Sequence, residues 1–574
     1  MTRSESANKT SAVQKADQNN AFIFSPSSEL ISTIKDLNKN SALVAWSTKE
    51  DVFSVTLDGQ VTIYDIHGTL KYSFNLDQEI RDTKVLECQE FLSPQGTGIA
   101  ILTTSFRFFT VNDVYNPRVR RLSEVPGLTT APACWRVLSP NSRDTFIVVA
   151  CGSSLYLLKS ADKSCSAINL SFSTPYTNIF SIAVNFDSTK IALFADNGYL
   201  WLGFHDESGF EKYCEFNTKS KIKPDQLIWA GNEAVIGLWK NVMIAIGLDT
   251  EWFSNIIDTP VVLAEEPDGV RIIGHFTHEF LQRVPDVTYD IFRVGSISAG
   301  SLLLEASKEF EKTSHKADEY LKMLKDRNEV ELAVEQCIKA AGHEFVGSDQ
   351  KMLLRAAAFG KCFTPNANRD LFVDMCRTLR VLNNVREPGV AIALSNVQLE
   401  MLSVKVLIDR LVLRRQYPVA IKISEYLKIP EEQGRLRILG NWASNKVRET
   451  HLDDDEAASI IYDKLGLTSG ITYSEIANEA IQHGRKQLAI RLLDFETRAS
   501  QQVPLLLLLD QHVKALTRAI ESGDTHLIYS VIYRLRDSLP SREFSMTIRN
   551  YPTAYALYQK VSCVTVTLYI NQNR

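Results

Sequence analysis

No run in this 574-residue chain approaches the ~18 consecutive apolar residues that span a bilayer, and the densest is only Leu505 to Leu509. The opening, MTRSESANKTSAVQKADQNN, has no apolar core and so does not read as a secretory signal. Asn8 and Asn169 fit the glycosylation sequon, which has no meaning without secretion. The nine cysteines are odd in number, scattered, and include no Cys-x-x-Cys pair. That pattern suits reduced thiols in the cytosol. An excess of positive charge is also missing: the net charge of −5 predicts no nucleic-acid partner.

The residue patterns of catalysis are absent too. No Gly-x-Ser-x-Gly elbow exists, and Gly295-Ser-Ile-Ser-Ala-Gly300 lacks its spacing. Gly360-Lys361 matches the end of a phosphate loop, but Arg355 stands where the first glycine belongs and Leu353 to Phe363 reads as helix. His275, His278 and Glu279 lie close together without enough further ligands for zinc. Asp453, Asp454, Asp455 and Glu456 lack the glycine and ligand spacing of a calcium loop and read as a helix start. Arg410, Arg414 and Arg415 could meet a phosphate but read as a solvated helix face. The expectation is therefore no catalytic, cofactor-binding or metal residue, no stoichiometric metal or nucleotide, and a partner-binding surface that sequence alone does not locate.

What the chain does have is a change of hydrophobic period near residue 296. Leu43 to Phe74 alternates apolar and polar residues in four runs, with Asp58-Gly59 and His67-Gly68 at turns that need positive φ. Four strands in one up-and-down unit make a propeller blade. Similar groups occupy Gly98 to Val111, Thr145 to Lys159, Ile179 to Phe204 around Asn197-Gly198, and Leu227 to Leu248.

Beyond Ser296 the spacing becomes helical. Leu407, Ile408, Leu411 and Val412 share one face, Tyr417-Pro418 breaks the run, and Val419, Ile423 and Tyr426 form the inner face of a second helix. Ile481 to Leu488 across Gly484, and Ile520 to Leu527 across Gly523, repeat one layout in which glycine ends a helix; Asp524 can cap the next. A hairpin cannot bury its own apolar face, so the hairpins are expected to stack as a continuous rod. The fold class expected is an N-terminal all-β propeller followed by an all-α helical-hairpin solenoid. Its parts are a disordered polar tail over 1–20, an incomplete propeller over 21–295, a solenoid over 296–560 and a divergent tail over 561–574.

Several stretches resemble the vacuolar protein sorting-associated protein 16 family. They are EVPGL (Glu124 to Leu128), APACW (Ala131 to Trp135), DGVRI (Asp268 to Ile272) and THEFLQRVP (Thr277 to Pro285). In the helical half they are SLLLEASKEFEKTSHKADEYL (Ser301 to Leu321), LLRAAAFGKCF (Leu353 to Phe363), LRVLNNVRE (Leu379 to Glu387), IDRLVLRRQYPVAI (Ile408 to Ile421) and AIESGDT (Ala519 to Thr525). The resemblance runs in order from about Leu43 to Lys560. It implies a scaffold subunit of the HOPS and CORVET tethering complexes, without a reaction of its own, peripheral on late endosomes, lysosomes or vacuoles, and early endosomes. It further implies the other core subunits as partners, a Sec/Munc-type SNARE chaperone of the Vps thirty-three family, and indirect association with Rab GTPases, SNAREs and membranes.

The resemblance also implies departures at both ends. Relatives carry propeller sequence ahead of the part matching Ala21 and further helical repeats past Lys560, where this chain has VSCVTVTLYINQNR. The chain is read as truncated there, with chaperone docking weakened or lost and a propeller short of complete blades. Two other classes stay open: a coat-like propeller–solenoid protein that self-assembles on membranes, and an enzyme using the propeller's central cavity, for which no residue constellation speaks.

Overall fold

The structure, a computed structural model, describes residues 11–14, 20–35, 37, 40–141, 144–160, 164–168, 170–206, 209–364, 369–449, 451–466 and 470–560. Asn8, Asn169 and the divergent tail 561–574 lie outside the described residues. Two compact units divide the chain at Val404 and Lys405, inside the helical region and well past the change from strand to helix. Each is described by itself.

The first unit opens with seven antiparallel sheets in which every strand pairs with its neighbour in sequence. Five have four strands, over residues 41–75, 85–121, 134–168, 179–217 and 226–256; the sheets over 11–34 and 262–281 have three. Ser11–Gln14 pairs with Ala21–Phe24, so part of the stretch expected as a disordered tail is a strand. The turns fall where the dipeptides place them. Gly59, Gly68 and Gly198 all have positive φ, and each donates its N–H to the residue three back: Thr56, Asp65 and Ala195.

Successive sheets stack face to face, which gives the propeller its radial order. Phe53, Val55 and Ile63 of the second sheet pack on Ile99, Ile101 and Phe109 of the third. Trp135 and Val149 join the third to the fourth, Trp201 joins the fourth to the fifth, and Trp229 the fifth to the sixth. From the second sheet onward, the first strand of each lies beside the first strand of the next. Burial fades outward: the first three strands of a sheet are largely covered, whereas Trp252–Ile256, fourth in the sixth sheet, is exposed throughout.

Helix begins earlier than expected. The last strand is His278–Leu281 and the first solenoid helix is Asp286–Phe292, whose Ile291 packs among Leu303, Val334 and Cys337. Helices Ala299–Glu311, Val330–His343 and Gly347–Lys361 then contact one another pairwise, the hairpin-on-hairpin pattern of a solenoid. Gly360 lies in the last of these, not in a phosphate loop: a Cβ there would meet Val334 Cγ2 at 2.6 Å and Leu303 Cδ2 at 2.8 Å. Close helix packing explains the glycine. Gly300 is similar, crowded by Ile291, while Ser298 caps the helix by accepting from the Ser301 N–H.

In the second unit each helix from Tyr473–Gln482 to Thr525–Ser538 contacts the next. The core includes Ile476, Leu488, Ile490, Leu493, Leu516 and Val531. Gly484 and Gly523 take positive φ between paired helices, and Asp524 accepts from the His526 N–H as an N-cap. Leu407, Ile408, Leu411 and Val412 are buried together, as is Ile423, but Val419 is only half-buried and Tyr426 is exposed. The inner face of that helix is Ala420, Ile423 and Ser424. Pro418 sits in its first turn, where a missing N–H is harmless, so it starts the helix and the break is at Arg415, with φ +60°.

Candidate functional site

The sequence-selected groups separate rather than converge. His275, His278 and Glu279 are exposed on and beside the strand His278–Leu281, and no group of three or more potential metal ligands occurs among the described residues. The acidic run starts helix Asp454–Leu465, and two of its members are used structurally. Asp454 receives Arg485 Nε at 2.8 Å, and Asp455 pairs with Arg491. Arg485 also donates to the carbonyls of Val447, Glu449 and Leu452. Arg410 is buried and Arg414 half-buried, so the expected solvated basic face is reduced to Arg415. Position explains this: Arg410 falls one turn after Leu407, on a helix whose Leu407 and Leu411 face the core.

The arrangement that does join distant parts of the chain is a buried polar junction between the last sheet and the helices before residue 404. It was not visible in the sequence. Glu266 and Arg271 lie on the hairpin formed by Val262–Glu266 and Gly269–Ile273, at 1% and 4% exposure. Arg271 Nε donates to Glu266 at 3.3 Å, its Nη2 donates to the Ala393 carbonyl, and its guanidinium lies 4.5 Å from the Phe280 ring centre. Across from it, Ser395 and Gln398 form a capping box at the start of helix Asn396–Leu402. The same two side chains reach the hairpin: Ser395 Oγ donates to Asp268, and Gln398 Nε2 donates to both Glu266 and Asp268.

Arg386 completes the junction. It donates from Nε to the Leu394 carbonyl at 2.8 Å and stacks on Phe345, which itself neighbours Phe280. Burial and the nearby Arg271 lower its pKa to about 10. Two of the family-like stretches, DGVRI and LRVLNNVRE, thus meet here, with Glu266, Asp268 and Arg271 given partners across the seam. The arrangement binds the last sheet to the helices before residue 404, its polar side chains engaged with one another and with backbone carbonyls: its chemistry is that of a fixed joint.

Glu266 gives the joint a pH dependence. Burial, opposed by Arg271 and reinforced by Asp268, raises its pKa from 4.5 to about 8. The folded state therefore holds this proton more tightly than the unfolded chain, a contribution fully present below pH 4.5 and lost as pH rises through 8. Glu266→Gln mimics the protonated form. Its melting temperature is expected to match the parent near pH 5 and to exceed it progressively toward pH 9; a constant difference across that range would contradict the assignment.

Comparison with known proteins bears on what the joint serves. The family model described as Vps16, N-terminal region matches residues 1–374, and that for the Vps16 C-terminal region matches 471–565. The chain belongs to the Vps16 family. It is 35% identical over 526 residues to a vacuolar protein sorting-associated protein 16 homolog of Drosophila melanogaster, covering 90% of this chain and 62% of that one. The corresponding homolog of Dictyostelium discoideum is 36% identical, covering 91% and 62%, and Protein VACUOLELESS1 of Arabidopsis thaliana 33%, covering 90% and 61%. The chain thus spans about three-fifths of the length of these curated relatives.

Proposed function

We propose that this chain is a non-catalytic scaffold in vacuolar protein sorting, acting within a multisubunit tethering assembly of the HOPS or CORVET kind. The observation that carries the reading is the ordered match of both Vps16 regions onto one propeller-plus-helices chain. Two further features support it. The buried polar groups of the junction are spent on joining segments, which suits a scaffold, and no helix among the described residues is long and apolar enough to cross a membrane. Membrane association would then come through partners on late endosomes, lysosomes or vacuoles.

Affinity purification of the tagged chain from cells, followed by quantitative mass spectrometry, tests this. The expected result is a fixed-stoichiometry set of sorting subunits, with a Sec/Munc-type SNARE chaperone among the candidates for direct contact. Assembly of the purified chain alone into membrane-bound lattices would instead favour a coat, and turnover of a small molecule an enzyme.

A further inference from the structure

The outer strand Trp252–Ile256 differs from those of the other four-stranded sheets. Leu70–Asn75 carries Lys71, Val119–Arg121 ends in two arginines, and Gly209–Asn217 carries Glu211, Lys212 and Glu215, the charges that normally guard a sheet edge against pairing. Ser164–Ile168 lacks charge but is mostly small and polar. Trp252–Ile256 reads WFSNI, with Trp252 56%, Phe253 47% and Ile256 74% exposed. Trp252 extends this surface to Phe216 of the adjoining sheet, 5.9 Å away between ring centres.

Its backbone is equally open. Among the described residues the strand is last in its sheet, paired on one side only, to Val242–Gly247. Gly247 N–H donates to the Glu251 carbonyl and Ile257 N–H to the Asn241 carbonyl, and both fit the register that pairs Phe253 with Ala245. Antiparallel bonding alternates, so 251, 253, 255 and 257 point inward and Trp252, Ser254 and Ile256 turn their N–H and C=O groups outward. Trp252 and Ile256 stand on one face either side of Ser254, with Phe253 on the other.

Charge selects the occupant. Asp249 and Glu251 flank the Trp252 end and Asp258 follows the other, with Lys240 on the adjoining turn between Ala234–Trp239 and Val242–Gly247. We infer that this edge takes an extended peptide of a partner protein as a fifth strand, with apolar residues at alternate positions and a Lys or Arg beside Glu251. The inference stands apart from the scaffold reading, since any Vps16-family chain with this edge would show it.

The test is selection of the purified full chain against a randomised ten-residue peptide library, with affinities of the enriched peptides measured in solution. Enriched sequences are expected to alternate apolar residues and to carry a basic residue near one end. Ser254→Pro removes one outward N–H while leaving the inner ladder intact, and is expected to weaken binding at least about tenfold without lowering the melting temperature by more than about 2 °C. Glu251→Lys should shift the selected peptides from basic to acidic at that end. Helical or uniformly acidic enriched peptides, or binding indifferent to Ser254→Pro in a folded variant, would overturn the proposal. So would a concentration-dependent dimer that Ser254→Pro abolishes, since a second copy would then cover the edge.

Discussion

Arg271→Ala is expected to destabilise the unit comprising residues 1–404 by about 3–5 kcal/mol, the usual consequence of removing one partner from a buried ionic cluster. Three losses coincide: the bond to the Ala393 carbonyl, the pairing with Glu266, and the packing of the guanidinium on Phe280. The carbonyl and the acid are left inside without a replacement, which is worse than never having buried them. Arg283→Ala makes the same change of charge at an exposed pair with Glu233 and Asp286, and should cost less than about 1 kcal/mol. Urea unfolding of the two variants checks this. Equal midpoints would mean that the junction does not hold the unit together.

The second large effect lies in the other unit. Leu411→Asp and Ile490→Asp should each destabilise it on the order of 4–5 kcal/mol, because both side chains are buried and a carboxylate there gives up its hydration. Ile490 packs within the cluster that includes Leu488, Leu493 and Val503, so the disturbance reaches neighbouring hairpins. Lys486→Ala, four residues away and exposed at the start of the same helix, should be silent within about 0.5 kcal/mol. Thermal melts with limited proteolysis distinguish these outcomes, and a parent-like Leu411→Asp would place that position on the surface.

What could be read from the chain beforehand was whatever depends on near neighbours. Asp58-Gly59 and Asn197-Gly198 announced hairpins because a positive φ is a local demand, and Gly523-Asp524 announced a helix end and start for the same reason. Asp268-Gly269 between apolar runs offered the same signal for the final sheet and went unused as a turn. The short helix Asp286–Phe292 escaped because only Val287 and Ile291 share its inner face, too few to establish a period.

Faces were harder than elements. Tyr426 fits an apolar stripe by spacing, yet Ala420 and Ser424 are the residues that turn inward there, since small side chains let helices approach. Arg410 looked solvated because arginine usually is. The polar junction was beyond reach altogether: Glu266 and Gln398 are 132 positions apart, and no periodicity relates them.

That separation orders events during synthesis. Each sheet is a meander whose strands pair across short turns, so it can form soon after its last strand is made. Asp268 meets Ser395 only after 127 further residues have been added. At ~5–20 residues per second, the hairpin carrying Glu266, Asp268 and Arg271 waits on the order of ten seconds in water with its charges hydrated. A polar seam tolerates that interval, where an apolar one would offer a sticky surface to every other nascent chain.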